Sequence, residues 1–287
     1  MLIPRRTFLG KAWTITWVSA IGVLLPSSPV KAQTSTKPKH LEDALLLLEG
    51  LRWENNNYQH GEPTVNWKGF NGAADYVSKT DCSGFMSKLL QHSYGDYFTD
   101  ERFKQWIREK KRKRPLAEDF HYAIVNQKDF IQIQEITQVK PGDIIAVKYL
   151  KKEDNDDNTE NGKPSTGHVM LVAETPKQSS LIEGKRQWEV KVIDQSKSGH
   201  GKYDSRRKTD VSTDDSQRNG DRLTNNQQNN SCEPKKNFND GLGKGTMAIY
   251  TNEDRNDILG YTWSICEKSK FYRPEERNLV VGRLSFN

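Results

Sequence analysis

One cysteine lies where a coil segment turns into a helix. Residues 80–84 read Thr-Asp-Cys-Ser-Gly and are followed by apolar residues at helical spacing. Thr80 or Asp81 can cap this helix, which places Cys82 in its first turn. There the helix dipole and the unpaired backbone N–H groups favour the thiolate, which is the nucleophilic form of cysteine. A small buried hydrophobe is the usual fate of a cysteine, but the flanking Asp81 and Ser83 predict a polar, partly exposed surround.

A histidine and an aspartate could complete a nucleophilic site. His168 stands at the first position of an apolar segment, residues 168–173, and Asp194 ends a second such segment, residues 188–194. If these segments are neighbouring strands, both side chains meet at one end of a sheet. An imidazole can then serve as the base for a cysteine and a third polar group can orient it. Taken singly, His168 is better explained as an ordinary strand-end histidine, and a turn residue after a strand is a ready explanation of Asp194.

The elements around these residues indicate the α+β class. Apolar periodicity predicts helices over residues 41–51, 82–90, 100–110 and 116–126. The stretch 55–63 is rich in turn residues. Strands are predicted over residues 144–149, 168–173, 188–194, 245–251, 261–265 and 279–284. Helices followed by strands predict an antiparallel sheet in a single domain over residues 41–287. The polar segments 151–166 and 205–241 are predicted to be mobile insertions in it.

Composition and the N-terminus bear on location. The chain has 287 residues, a formal net charge of +6 and a mean hydropathy of −0.88, which excludes a protein with many membrane spans. Arg5-Arg6 precedes the apolar stretch 12–26, and Val30-Lys31-Ala32 follows it. This order predicts an export signal over residues 1–32, cleaved near Ala32 and followed by a polar leader, residues 33–40. The arginine pair resembles a twin-arginine signal, and ordinary secretion stays open.

Removal of the signal deletes four cations and no acid, so the mature chain carries a net charge of +2. The basic run at residues 110–114 could bind nucleic acid or an anionic wall polymer. A solvated helix end is the favoured interpretation, because no pattern of base-stacking aromatic residues accompanies the run. We therefore expect no nucleic-acid partner, and contact with the membrane only during export to the periplasm or the exterior.

The remaining cysteines and histidines predict neither a metal site nor a cofactor. Cys82, Cys232 and Cys266 include no close pair, and the six histidines are scattered. Cys232 and Cys266 could form a disulfide or stay free thiols. Trp263 is expected in the core, with ligand stacking near a cleft as the second possibility.

Three motifs together resemble a known family. The segment 81–85 (Asp-Cys-Ser-Gly-Phe), the segment 141–145 (Pro-Gly-Asp-Ile-Ile) and the segment 167–169 (Gly-His-Val) occur in that order. They are similar to the signature of the NlpC-type cell-wall cysteine peptidases, which are papain-like. The resemblance covers roughly residues 55–200. It implies a papain-like α+β fold, in which the helix of the nucleophile packs with other N-terminal helices on an antiparallel sheet. Residues 243–283 have no counterpart in it.

The resemblance also implies roles for individual residues. Cys82 would be the nucleophile, His168 the base and Asp194 the third residue. The family more often has His, Asn or Gln at the third place, so His200 is a rival to Asp194. Tyr58 corresponds to a tyrosine that lines the family's site, although the usual Gly-Gly after it is missing. Asp81 and Ser83, which flank the nucleophile, would touch substrate.

The function expected from the resemblance and the export signal is hydrolysis of amide bonds in the stem peptides of peptidoglycan, or in another peptide, through a thioester on cysteine. Two alternatives remain open from the sequence. One is a non-catalytic module that binds the cell wall. The other is an acyltransferase that uses the same cysteine and histidine. The sequence indicates neither the bond that is cleaved nor an oligomeric state.

Overall fold

A computed structural model describes residues 37–109, 111–150, 165–182, 184–201, 203–207 and 239–286. The predicted export signal and its cleavage site near Ala32 lie outside these residues, as do most of both predicted insertions. These features therefore stay predictions. Within the described ranges, no helix is long and apolar enough to cross a membrane.

Four α-helices occur in the described residues, and three of them match the predicted ones. They are α1 (Lys39–Gly50), α2 (Cys82–Ser93), α3 (Asp100–Lys104) and α4 (Ala117–Val125). The helix predicted over residues 100–110 is wrong in length. The chain turns after Lys104, and Trp106 enters the core, where its indole N–H donates to Asp129 Oδ2 at 2.8 Å. Burial of a large aromatic side chain outweighs one further turn of helix.

A small sheet precedes α2. It contains β1 (Asn56–Tyr58), β2 (Thr64–Asn66) and β3 (Val77–Thr80) in the order β1-β3-β2, with β1 parallel to β3. The prediction of turns over residues 55–63 is thus wrong at its start. Asn56 has a partner that local propensity cannot show, because its side-chain amide is hydrogen-bonded to the backbone N–H and C=O of Leu242 at 2.6 and 2.9 Å.

The main sheet is antiparallel and confirms the α+β class. Its described strands are β4 (Phe130–Ile133), β5 (Ile144–Tyr149), β6 (Gly167–Val172), β7 (Lys177–Ile182), β8 (Lys185–Ser196), β9 (Gly241–Asn252), β10 (Ile258–Thr262), β11 (Phe271–Tyr272) and β12 (Arg277–Leu284). Their order is β11-β10-β9-β8-β6-β5-β12-β4, with β7 paired to β8. The three strands β4, β7 and β11 were not predicted, and β10 ends before the predicted residue 265.

Both faces of the sheet are buried. Ile144 and Ala146 of β5 point to a core shared with the helices, whereas Ile145 and Val147 point to a second core on the opposite face. The second core joins side chains from β4 and β11, the two ends of the strand order, so the sheet curls around it. This double burial explains why these strands are continuous apolar runs rather than alternating ones.

The core on the helix side sets the position of α2. Phe85 and Leu89 pack in one cluster with Val169 and Leu171 of β6 and Ile193 of β8. Strand β6 pairs directly with β8 in the register Leu171↔Ile193. The predicted pairing of the strands that carry His168 and Asp194 is thereby confirmed. The first turn of α2 is held over the end of the sheet where these two residues lie.

Gly167 provides a test of the strand pairing that positions His168. Its φ is +146°, and a Cβ there would lie 1.9 Å from the carbonyl oxygen of Val147 in β5. We expect Gly167→Ala to lower the free energy of unfolding by about 3 kcal/mol, because it adds a clash to an unfavourable φ. Gly184→Ala is the matched control, since φ there is +72° with no atom within 4 Å, and it should cost about 1 kcal/mol. Urea unfolding measures both, and equal costs would contradict the close approach of β5.

Candidate active site

The first turn of α2 is capped as predicted. The carboxylate of Asp81 accepts hydrogen bonds through Oδ1 from the backbone N–H of Gly84 at 2.7 Å and from Ser83 Oγ at 2.9 Å. Asp81 is the N-cap, so Cys82 is the first helical residue. The backbone N–H groups at this end of a helix have no partner within the helix and point out of its N-terminus.

The second oxygen of the Asp81 carboxylate faces an arginine and a histidine. Arg114 Nη2 donates to Oδ2, and His60 Nδ1 lies 3.6 Å from the same atom. Burial by itself would raise the pKa of Asp81, but the contacts with His60, Arg114 and Gly84 outweigh it and hold that pKa well below its usual range.

The basic run does not form the solvated helix end that was predicted. Its described members lie between α3 and α4, and two of its arginines turn inward. Arg114 binds Asp81 and Ser83, and Arg112 binds Glu118 and the buried Asp119. The reason is that fully buried carboxylates need cationic partners, which the run supplies.

The surround of Cys82 is more enclosed than predicted. Cys82 is 5% exposed, Asp81 5% and Ser83 2%. Pro63 contributes to this cover, because a Cβ on Gly84 would lie 2.9 Å from Pro63 Cγ. The neighbours of Cys82 are polar as predicted, but the expectation that they are partly exposed is wrong. Cys82, whose thiol is free, keeps a small exposed fraction as a residue. Asp81 and Ser83 are engaged with each other and with Arg114, so their observed contacts position the helix start.

His168 lies between the thiol and a carboxylate. Its Nε2 lies 2.6 Å from Asp194 Oδ2, and its side chain is also hydrogen-bonded to Cys82. Since Nε2 is taken by Asp194, Nδ1 is the ring atom left for the sulfur. Burial by itself would lower the pKa of His168, but the charge of Cys82 and the contact with Asp194 raise it to about 10. The structure thus brings the three predicted residues Cys82, His168 and Asp194 together.

The Asp194 carboxylate has a partner that the sequence patterns do not predict. Arg206 Nη2 donates to Asp194 Oδ1 at 2.9 Å and to Asp204 Oδ2 at 2.7 Å, and the Arg206 side chain is completely buried. Burial opposes ionisation of Asp194, but Arg206, His200 and His168 lower its pKa well below the usual value. The predicted mobile insertion 205–241 is therefore wrong at its start, and also at its end, where Gly241 begins β9. The only local signal for Arg206 is an aspartate two residues earlier.

His200, the rival for the third place, also reaches Asp194. Its Nδ1 lies 2.7 Å from the carbonyl oxygen of Trp263, which can only accept, so Nδ1 carries a hydrogen. Its Nε2 lies 3.1 Å from Asp194 Oδ2 but out of line for a well-formed hydrogen bond. His168 therefore makes the hydrogen bond to Asp194 Oδ2, and His200 Nε2 lies beside the same oxygen.

Two aromatic residues border the site. Trp263 is half-buried, and its ring meets the His168 ring edge to face with centroids 5.4 Å apart. Tyr58 of β1 lies opposite Thr80 of β3, two residues before Cys82. The Tyr58 ring contacts the His60 ring at 5.3 Å, and the ammonium group of Lys197 lies 5.7 Å from its centre.

A metal ion is poorly matched to this site. His168, Asp194 and His200 each offer a ligand atom, and these atoms lie within 4.8 Å of one another. However, the guanidinium of Arg206 already binds the same carboxylate and would repel a cation there. As for the other thiols, Cys266 is disulfide-bonded, and Cys232 lies outside the described residues.

Comparison with known proteins shows a viral relative. The chain is 31% identical over 264 residues to the uncharacterized protein R653 of Acanthamoeba polyphaga mimivirus, an alignment that covers 87% of this chain and 98% of the viral one. This chain therefore belongs to the same family as the viral protein. No family model matches the sequence. No solved structure matches it either.

The Asp81 contacts predict a pH-dependent stability. Asp81→Asn keeps a capping side chain but loses the charge that faces Arg114 and His60. At pH 7 the variant should be less stable by about 1–2 kcal/mol. Because the folded-state pKa of Asp81 is lowered, the wild-type advantage is complete above the unfolded value and lost as the pH falls below about 4. Urea unfolding at several pH values measures the difference, and a pH-independent difference would contradict the charge interaction.

The raised pKa of His168 can be measured by NMR. The imidazole of His168 should stay protonated through neutral pH and titrate near 10, and Cys82→Ala should lower this midpoint because the neighbouring charge is gone. His121, whose pKa is lowered chiefly by burial, is an internal control that should titrate below 6.5 in both proteins. A His168 midpoint that is the same in the two proteins would rule out the coupling to Cys82.

Proposed function

We propose that the protein is an exported cysteine peptidase or amidase of the papain-like NlpC type, which hydrolyses amide bonds in the stem peptides of peptidoglycan. The observation that carries this proposal is the chain of contacts from Cys82 at the start of α2, through His168, to the buried carboxylate of Asp194. A cysteine at a helix N-terminus beside a protonated imidazole is the arrangement that activates a thiol as a nucleophile.

The exposure of the three side chains supports an ordered site. The side chain of Asp194 is completely buried, whereas Cys82 is 5% exposed and the His168 side chain 12%. A nucleophile and a base must be reachable by substrate, and an orienting carboxylate acts best when it is shielded from water. The order of exposure of Cys82, His168 and Asp194 agrees with these roles.

The proposed reaction begins with attack of the Cys82 thiolate on an amide carbonyl carbon. The tetrahedral intermediate collapses, the carbon–nitrogen bond breaks, and the leaving amine takes the proton from His168. Water then attacks the thioester while His168 accepts a proton from it. The carboxylic acid product leaves, and the thiolate and the imidazolium are restored. Asp194 holds the ring through Nε2 in both half-reactions.

The oxyanion of the tetrahedral intermediate needs hydrogen-bond donors. The backbone N–H of Cys82 belongs to the first helical residue, which has no acceptor within the helix. The hydroxyl of Tyr58 is our candidate for a second donor, since β1 runs beside the strand that leads to Cys82. Such a donor is typically worth about 100-fold or more in rate.

The papain-like assignment and the choice of substrate rest on different grounds. A nucleophile helix packed on an antiparallel sheet, with the base on one strand and the orienting residue on its neighbour, supports the papain-like fold. Peptidoglycan as substrate rests on the resemblance of the three sequence motifs and on the predicted export signal. The mature chain would act in the periplasm or outside the cell.

The experiment that tests the proposal is digestion of purified peptidoglycan followed by mass spectrometry of the released fragments. The wild-type protein should produce fragments that have gained one water at an amide bond, and Cys82→Ala should produce none. His121→Gln is a matched control, because it removes an imidazole that is hydrogen-bonded to Asn278, outside the proposed site, and it should retain activity.

Two outcomes would redirect the assignment. Full hydrolysis by Cys82→Ala would overturn the cysteine mechanism. Fragments coupled to an added amine, in place of hydrolysed ones, would point to an acyltransferase that uses the same residues.

A further inference from the structure

We infer that Arg206 is a positioning residue of this site, which supplies the counter-charge to Asp194 and fixes the orientation of the carboxylate behind His168. The inference rests on the proposed function, and it assigns a role to a residue at the edge of a polar segment.

The N–H groups of Arg206 donate hydrogen bonds to Asp204, to Asp194 and to the backbone of Gly241. Nε and Nη2 bind the two oxygens of Asp204 at 2.9 and 2.7 Å, and Nη2 also binds Asp194 Oδ1 at 2.9 Å. Nη1 lies 3.1 Å from the carbonyl oxygen of Gly241 and 3.4 Å from that of Asp194. The guanidinium is therefore held rigidly, with Asp204 as its anchor.

The two oxygens of the Asp194 carboxylate have different partners. Oδ1 accepts from Arg206, and Oδ2 faces the imidazoles of His168 and His200. A carboxylate held through one oxygen cannot rotate freely about its terminal bond, so the other oxygen stays aimed at His168 Nε2. The direction of the His168 ring, and with it the position of Nδ1 beside Cys82, depends on this anchor.

The charge balance depends on the same guanidinium. Asp194 and Asp204 are two buried carboxylates that share Arg206 as their fully buried cation. Other charged or titratable groups that face Asp194 are His168 from β6 and His200 from the segment after β8. Without Arg206, Asp194 would take up a proton at a higher pH than in the wild type, because burial disfavours its charged form and the like charge of Asp204 adds to that effect.

A purely structural role for Arg206 would give a different result from a positioning role. Loss of any buried arginine that binds an aspartate lowers stability. Loss of the counter-charge to Asp194 should in addition change the pH range over which His168 keeps Cys82 reactive. The pH profile of the thiol, unlike a melting temperature, separates the two roles.

The test is the rate at which iodoacetamide alkylates Cys82 in the full chain, followed by mass spectrometry from pH 3 to pH 9. The wild type should react well below pH 8.5, where a free thiol does not. The acid limb of this profile is the pH range in which the alkylation rate falls as the pH is lowered. In Arg206→Gln this limb should lie about one pH unit or more higher, because Asp194 then takes up a proton within the measured range. Arg206→Lys keeps the charge and should restore most of the wild-type profile.

Arg283→Gln is the matched control. Arg283 binds both oxygens of the buried Asp143 at 2.8 Å, outside the proposed site, so this variant should lose stability and keep the wild-type acid limb. If Arg206→Gln does not fold, Arg206→Gln combined with Asp204→Asn removes one cation and one anion together. It should still show a shifted limb, smaller than that of the single variant, because burial still disfavours the Asp194 carboxylate without its cation.

Each outcome has one meaning. An unchanged acid limb in Arg206→Gln, or in the double variant, overturns the inference about Arg206 and leaves the proposed function intact. Equal profiles for Arg206→Lys and Arg206→Gln would also overturn it, because the charge would then have no effect. A wild-type thiol that reacts only near pH 8.5 and above overturns the proposed function itself.

Discussion

The organisation of the site depends on the ionised carboxylate of Asp194, which has no exposed surface. A carboxylate without water is unfavourable unless cations and hydrogen-bond donors replace the water. Arg206 supplies the charge from one side and His168 supplies a donor from the other. Because Asp194 comes from β8, His168 from β6 and Arg206 from the segment after β8, the carboxylate also links that polar segment to the two paired strands.

A second buried carboxylate organises the other half of the site in a similar way. Asp81 caps α2 through one oxygen and binds Arg114 through the other. Both arginines come from polar stretches of sequence that connect elements, and both end up binding a buried aspartate. The connecting segments therefore supply the positive charges. One aspartate–arginine pair caps the helix that begins with Cys82, and the other contacts the imidazole of His168.

Local patterns were sufficient for the parts of the fold that depend on neighbouring residues. The cap at Asp81, the start of α2 and the apolar strands β5 and β6 follow from side-chain type and spacing over a few positions. The predictions failed where distant parts of the chain meet. Residues that favour turns instead form β1, where Asn56 binds the backbone of Leu242. The helix predicted to reach residue 110 ends at Lys104, because the chain turns there and buries Trp106 in the core.

The sequence alone determined which side chains could do chemistry, because Cys82, His168 and Asp194 each stand at the end of an element that local rules identify. Only the tertiary structure decided that these ends meet, that Asp194 and not His200 contacts the histidine, and that Arg206 is buried beside them. The physical reason is the range of the interactions. Capping and periodicity depend on residues a few positions apart. A buried charge, in contrast, is compensated by whichever opposite charge lies close to it in space, whatever their separation along the chain.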